Sequence, residues 1–200
     1  LLKYKGIKKH VNIPDGLCTS IGPNAFQNLG LLSVTFPDSV TEIGERAFAK
    51  NKLTSLIFPN SLKQIGKGAF RGNELTSLSF SNSIEEIGES AFEFNGLTSL
   101  TLPNSLKQIK KEVFAENHTL TSLILPSFLT NIGVGAFYNS KLTELTLPNT
   151  IEIIEDYAFS NNRLTSVSFP ESLKEIGFYA FGNNKLISII FPDSISTIRS

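Results

Sequence analysis

The 200-residue sequence holds one cysteine, two histidines, no methionine and no tryptophan, and its 18 basic residues balance 18 acidic ones. A lone thiol, Cys18, excludes an internal disulfide framework and a cysteine-based zinc cluster, while leaving the redox compartment open. A formal net charge of zero gives no electrostatic footprint for a nucleic-acid backbone, which needs a cationic surplus on one face. The one basic run, Lys3, Lys5, Lys8 and Lys9 with His10, precedes the regular part of the chain and reads as a solvated cap. No apolar stretch approaches the length of a membrane span, so no membrane insertion by this segment is expected, and no signal peptide opens it. With no methionine at position 1 and an end at Ile198-Arg199-Ser200, inside a regular unit, both ends read as cut from a longer protein.

What is present is a ruler. Phenylalanine recurs at positions 26, 48, 70, 92, 114, 137, 159 and 181, at intervals of 22 residues broken once by 23. A period of that length means one supersecondary unit stacked on copies of itself into a solenoid. In the unit that runs from Leu53 to Glu74, Leu56 and Phe58 alternate with Ser55 and Ile57, the pattern of a short strand buried on one face. Pro59 ends the strand, and Asn60-Ser61 reads as a turn. Leu62 and Ile65 point back inward, Gly66 permits a tight bend, and Ala69-Phe70 fits a short helical or 3₁₀ turn that drops the ring into the core. A column of asparagines at 51, 73, 95, 117, 162 and 184, with Ser140 as the exception, is expected to bond loop backbone of its own and the adjacent coil. Glu45, Lys67, Glu89 and Lys111 alternate in sign along one column, and Lys63, Glu85 and Lys107 alternate in the opposite phase, as coils stacked residue over residue require. His118-Thr119 supplies the extra residue of the one long interval. The sequon Asn117-His118-Thr119 competes with the inward role of Asn117 in its column.

The combined pattern Leu-x-x-Leu-x-Phe-Pro-x-Ser-Leu-x-x-Ile-Gly-x-x-Ala-Phe-x-x-Asn, from about residue 10 to 198, resembles the BspA-type, or Treponema-type, leucine-rich repeats of bacterial surface proteins. The opening Tyr4-Lys-Gly and Val11-Asn-Ile-Pro14-Asp-Gly is similar to the start of such arrays. Two departures stand out. The turn after the strand is one residue shorter than the general leucine-rich pattern, and asparagine fills a loop position often held by cysteine in relatives. The resemblance implies a single array over residues 1–200, with a cap-like start at 1–16. Its expected architecture is a right-handed leucine-rich-repeat solenoid of about eight 22-residue coils, a parallel sheet on the concave face, and short helical or 3₁₀ turns and loops elsewhere.

Nothing in the chain gathers into catalytic machinery, and no catalytic, cofactor-binding or metal-ligating residue is expected. His10 and His118 lie about five coils apart, Cys18 has no base near it except His10, and Glu85-Glu86 and Glu155-Asp156 fall on turn surfaces. Two faces remain for a partner. The outward strand positions are small and hydroxylated, with Ser99, Thr101, Glu144 and Thr146 as the weaker candidates; serine and threonine are also ordinary solvated strand residues. On the turns, Val134, Tyr138, Tyr157, Phe178 and Tyr179 replace the charged and small residues of earlier coils. Tyr138, Tyr157, Phe178 and Tyr179 are therefore the candidate partner-binding residues, against packing among themselves or beneath further coils. The resemblance implies a non-enzymatic, protein-binding module, an adhesin or host-interaction domain at an extracellular or cell-surface location, with a protein ligand. A spacer that presents other domains is the alternative. The Ser/Thr pairs also suggest an ice-binding face, against which the interrupting Ile57, Ile124 and Ile190 count.

Overall fold

Apolar alternation lasts only a few positions in each unit before proline or glycine interrupts it, so every strand is short. The computed structural model describes residues 9–199; the lysines at 3, 5 and 8, Tyr4 and the first half of the cap-like start lie outside them. Three-residue strands His10–Asn12, Ser33–Thr35, Ser55–Ile57, Ser77–Ser79, Ser99–Thr101 and Ser122–Ile124 pair in parallel as three two-stranded ladders, and an isolated Thr146–Ser168 bridge continues their line. Ser55 stands opposite Ser77, Leu56 opposite Leu78 and Ile57 opposite Ser79. The central residue of a strand turns inward: Leu56 is 2% exposed, whereas Ile57 beside it is 78% exposed.

A second ladder runs along another side of the coils, and the sequence reading did not anticipate it. Two-residue strands from Ser20–Ile21 to Glu86–Ile87 form a four-stranded parallel sheet, and those from Gln108–Ile109 to Thr197–Ile198 form a five-stranded one. These nine strands, one per coil, make about nine coils where the phenylalanines mark eight. The glycine after this strand is not there for a bend. Gly66 has no left-handed φ, but a Cβ on it would lie 2.7 Å from the backbone of Gly44 and Glu45 in the preceding coil, so close coil-to-coil approach demands its absence.

The turn around each ruler phenylalanine is not helical, and no helix occurs among the described residues. The expectation of a helical or 3₁₀ turn fails because alternate amides point out of the coil. Arg46, Phe48 and Lys50 donate to the carbonyls of Lys67, Ala69 and Arg71 in the next coil at 2.9, 2.8 and 2.8 Å, while Ala47 and Ala49 donate within their own coil. Left-handed residues bracket the turn, with φ of 50° at Arg46 and 57° at Lys50, and this reversal aims the amides along the stack. The result is a third intercoil ladder, made by turns.

Inside lies the ring stack. Successive ruler phenylalanines stand 4.9 to 5.6 Å apart with interplanar angles of 3 to 13°. Phe48, Phe70, Phe92, Phe114, Phe137 and Phe159 are fully buried. The asparagine column works as the sequence suggested. Asn95 Oδ1 accepts from the Leu75 amide at 3.1 Å, and its Nδ2 donates to the carbonyls of Phe70 and Phe92, both at 3.1 Å. The two irregularities have one cause. Where the loop is a residue longer, the Leu120 amide donates to the Asn117 carbonyl at 3.0 Å, so it no longer needs the side chain that stands above it in the next coil. There Ser140 replaces asparagine, 5% exposed, with its hydroxyl unpartnered.

Candidate functional site

Apart from Gly16 and Gly30, the left-handed residues fall into two columns on the turn face. One runs Asn24, Arg46, Gly68, Ser90, Glu112, Gly135, Tyr157, Tyr179, and the other Asn28, Lys50, Gly72, Phe94, Glu116, Asn139, Asn161, Asn183. Glycine and asparagine suit a positive φ; for an ordinary L-residue it is unfavourable by roughly 1–2 kcal/mol. Tyr157 and Tyr179, with φ of 58° and 52°, stand where no side chain of that size is sterically favoured. Their rings point away from the core.

The structure brings three of the four turn-face candidates into mutual contact. Phe178 meets Tyr157 edge-on with centroids 5.4 Å apart, Tyr157 and Tyr179 are 6.1 Å apart, and Phe178 and Tyr179 are 5.5 Å apart. They remain 39%, 38% and 49% exposed for Tyr157, Phe178 and Tyr179 respectively. Two local features hold them. Asp156 Oδ1 accepts from the Phe178 amide at 2.7 Å, and the Tyr179 ring lies over Gly182, where a Cβ would come within 2.0 Å of the ring. Tyr138 is half-buried one coil earlier and joins Tyr157 in lining a depression of about 320 Å³, with Val134, Glu112 and Glu116 on its other walls.

The sheet-face candidates are also exposed, and Thr146 lines a depression of about 500 Å³ with Ile124, Pro148 and Asn149 among its walls. Ser99 and Thr101 flank the inward Leu100 and pair with Ser122 and Ile124; Glu144 and Thr146 flank Leu145. Exposed isoleucines at 57, 124 and 190 interrupt this hydroxylated surface.

Sequence reasoning missed one turn-face feature. Phe94, two residues past a ruler phenylalanine and 45% exposed, lies under the Arg71 guanidinium, 5.1 Å from ring centroid to Cζ, and Arg71 Nε is 2.7 Å from Glu93 Oε2. The available signal was Phe92-Glu93-Phe94, a second aromatic off the ruler. Along this face charge is segregated: Arg46, Lys50 and Arg71 line a depression of about 520 Å³, and Glu93, Glu112 and Glu116 line the next one.

The ionisable residues considered for chemistry have structural partners, and Cys18 is a free thiol packed against the core. Glu155 accepts from Asn131 Nδ2 at 3.1 Å and from the Val134 amide at 3.2 Å; Glu86 pairs with Lys110. His10 Nδ1 shares a hydrogen bond with Ser33 Oγ at 2.8 Å, and His118 Nε2 lies 3.3 Å from Glu116. Asn117 is fully buried and its amide bridges the Phe92 and Phe114 carbonyls, so the sequon is closed to modification in the folded chain. Among the described residues no group of three or more His, Cys, Asp or Glu could hold a metal ion, and no helix is long and apolar enough to cross a membrane. In the charge ladder, Lys67 Nζ lies 2.6 Å from Glu89, which raises the ammonium pKa and lowers that of the carboxyl by hydrogen bond and charge.

Comparison with known proteins adds the lineage. The profile of the BspA-type leucine-rich repeat region matches residues 3–117 and 85–200, in six copies. Among solved structures, a leucine-rich repeat protein from Bacteroides ovatus is 30% identical over 95% of this chain and 53% of its own, with a TM-score of 0.87. A leucine-rich repeat protein of T. pallidum is 27% identical over 69% of this chain and 79% of its own, and a leucine-rich cell surface protein from Faecalibacterium prausnitzii is 27% identical over 94% and 54%; both have TM-scores of 0.58. No curated protein matches significantly. The chain thus spans about half the length of the B. ovatus protein.

Proposed function

This chain belongs to the BspA-type leucine-rich repeat family, and from that premise we propose that it is a non-enzymatic protein-binding module displayed at a bacterial cell surface. The cell-surface designation of the F. prausnitzii neighbour supports the location. The observation that carries the reading is the exposed triad of Tyr157, Phe178 and Tyr179, whose rings touch one another outside the core. Tyr157 and Tyr179 stand on left-handed residues of one column, where a bulky ring is less favoured than the asparagine or glycine at 24, 68 and 135, although Arg46, Ser90 and Glu112 share the same backbone conformation. Tyrosine offers a large, rigid contact area at small entropic loss, which makes it a common anchor of protein interfaces. The adjoining depression, lined by Tyr138, Tyr157 and three glutamates, gives a partner side chain a place to enter. The Ser/Thr sheet face, with Ser99, Thr101, Glu144 and Thr146, is the weaker surface, because hydroxyls exchange water contacts at little net gain.

The test is binding of the fluorescently labelled chain to host epithelial cells, with and without protease stripping of their surface proteins. Tyr157→Asn with Tyr179→Asn removes the rings and leaves residues that suit a positive φ, so the fold is retained. This variant is expected to lose protease-sensitive binding, whereas Thr101→Ala with Thr146→Ala keeps it. The opposite pattern assigns the partner to the sheet, and no binding by any form favours the spacer role.

A further inference from the structure

The turn face carries a charge pattern that becomes its own complement when coil order is reversed. In one column, successive coils present Arg46, Gly68, Ser90 and Glu112; in the other, Lys50, Gly72, Phe94 and Glu116. Between them lie Arg71 and Glu93, already paired with each other within the chain. Each column therefore begins basic and ends acidic over four coils. The outer cations are weakly engaged at home, while the carboxylates already hold polar partners: Glu112 accepts from Ser90 Oγ at 3.2 Å, and Glu116 from Asn139 Nδ2 at 3.0 Å. Arg46 reaches Glu45 at 3.8 Å, Glu112 reaches Lys111 at 3.7 Å, and Lys50 has no ion pair among the described residues.

We propose that this face is a homodimer interface whose occupant is a second copy of the same chain, stacked antiparallel. The symmetry is an isologous two-fold lying in the contact plane, across the stacking direction, midway between the coils of Arg71 and Glu93. Such an axis keeps each column over itself and inverts coil order. Arg46 then meets Glu112 of the second copy, Lys50 meets Glu116, and exposed Phe94 meets Gly72, where no side chain competes for space. Every opposition occurs twice. The cationic depression around Ala49 lies over the carboxylate-lined depression around Ala115, since both alanines share one column. A parallel arrangement is rejected by the same charges: an axis along the stack lays Arg46 on Lys50 and Glu112 on Glu116.

The four coils span only about 14 Å at the usual interstrand spacing. The buried area is thus below that of a standard stable interface, and the dimer is weak, concentration-dependent and sensitive to salt. This self-recognition does not rest on the partner site proposed above: the two share the depression lined by Glu112, Glu116 and Tyr157, whereas Phe178 and Tyr179 lie on coils beyond the four that meet.

Sedimentation velocity from low micromolar to about 1 mM protein, at low and high salt, reads the dimer directly. Arg46→Glu with Lys50→Glu makes the four outer positions acidic, and Glu112→Lys with Glu116→Lys makes them basic. Each variant alone is expected to weaken self-association by about tenfold or more, since like charges then face each other. An equimolar mixture of the two is expected to recover a heterodimer at low salt, with circular dichroism confirming that both are folded. A chain monomeric at all concentrations overturns the proposal, as does a mixture that stays monomeric. Association indifferent to salt and to both variants also overturns it, and assigns the contact to the apolar last coil, where Ile189 and Phe191 are 41% and 44% exposed.

Discussion

Replacing Asn95 by serine imports into a regular coil the departure that the chain makes at position 140. In the native chain the Asn95 amide serves the Leu75 N–H and the Phe70 and Phe92 carbonyls, with a longer fourth bond of 3.4 Å to the Glu93 carbonyl, which the Gly72 amide also serves. The two carbonyls are not orphaned by the change, because Asn73 Nδ2 also donates to Phe70 at 2.9 Å and Asn117 Nδ2 to Phe92 at 3.1 Å. The Leu75 amide is orphaned, buried in the core wall. One unsatisfied buried donor costs about 1–3 kcal/mol, and two lost shared bonds add about 0.5–1.5 kcal/mol each, so the expected loss is about 2–6 kcal/mol. Ser140→Ala is the control. Its hydroxyl is buried without a partner, and the amide that an asparagine there would serve is already satisfied by Asn117, so removing it should be neutral or slightly stabilising. The absence of tryptophan makes far-UV circular dichroism in urea the practical readout. Because solenoids can unravel in parts, hydrogen exchange at the Leu75 amide should accompany it. An Asn95→Ser protein within about 0.5 kcal/mol of wild type, or a Ser140→Ala protein equally damaged, refutes the account of the column.

Two further predictions concern the spine and the charge ladder. Phe92→Ala removes a fully buried ring stacked 5.5 Å from each neighbour and should cost about 3–5 kcal/mol, while Phe26→Ala, partly buried near the start of the stack, should cost less; equal losses in urea titrations would contradict a continuous stack. Glu89, with its pKa lowered, lends stability present above its unfolded value near 4.5 and lost as pH falls through the folded value. Lys67, with its pKa raised, lends stability present below 10.5 and lost as pH rises through its folded value. A double-mutant cycle on the exposed pair should therefore show a small, salt-screened coupling at neutral pH that vanishes in strong acid; persistence at pH 2 would mean that charge is not its source.

The period of the chain was enough to determine stacking, the inward columns and the phenylalanine spine, because a buried position repeated every 22 residues has no other place to go. The asparagine column was legible for the same reason: a polar residue in an inward position must find backbone partners. The turn around each ruler phenylalanine was not legible. Whether Ala47-Phe48-Ala49 coils into a helix or feeds alternate amides to the next coil depends on acceptors 21 residues away, which local propensity does not contain. The same holds for Gly66, whose role is set by the backbone of the coil beneath it. The tyrosines at 138, 157 and 179 were visible as departures from the period, yet only the stacked structure put Tyr157, Phe178 and Tyr179 in contact and Arg71 over Phe94. Sequence thus determined which residues share a column; tertiary structure decided which columns are neighbours, since that depends on how each coil closes on itself.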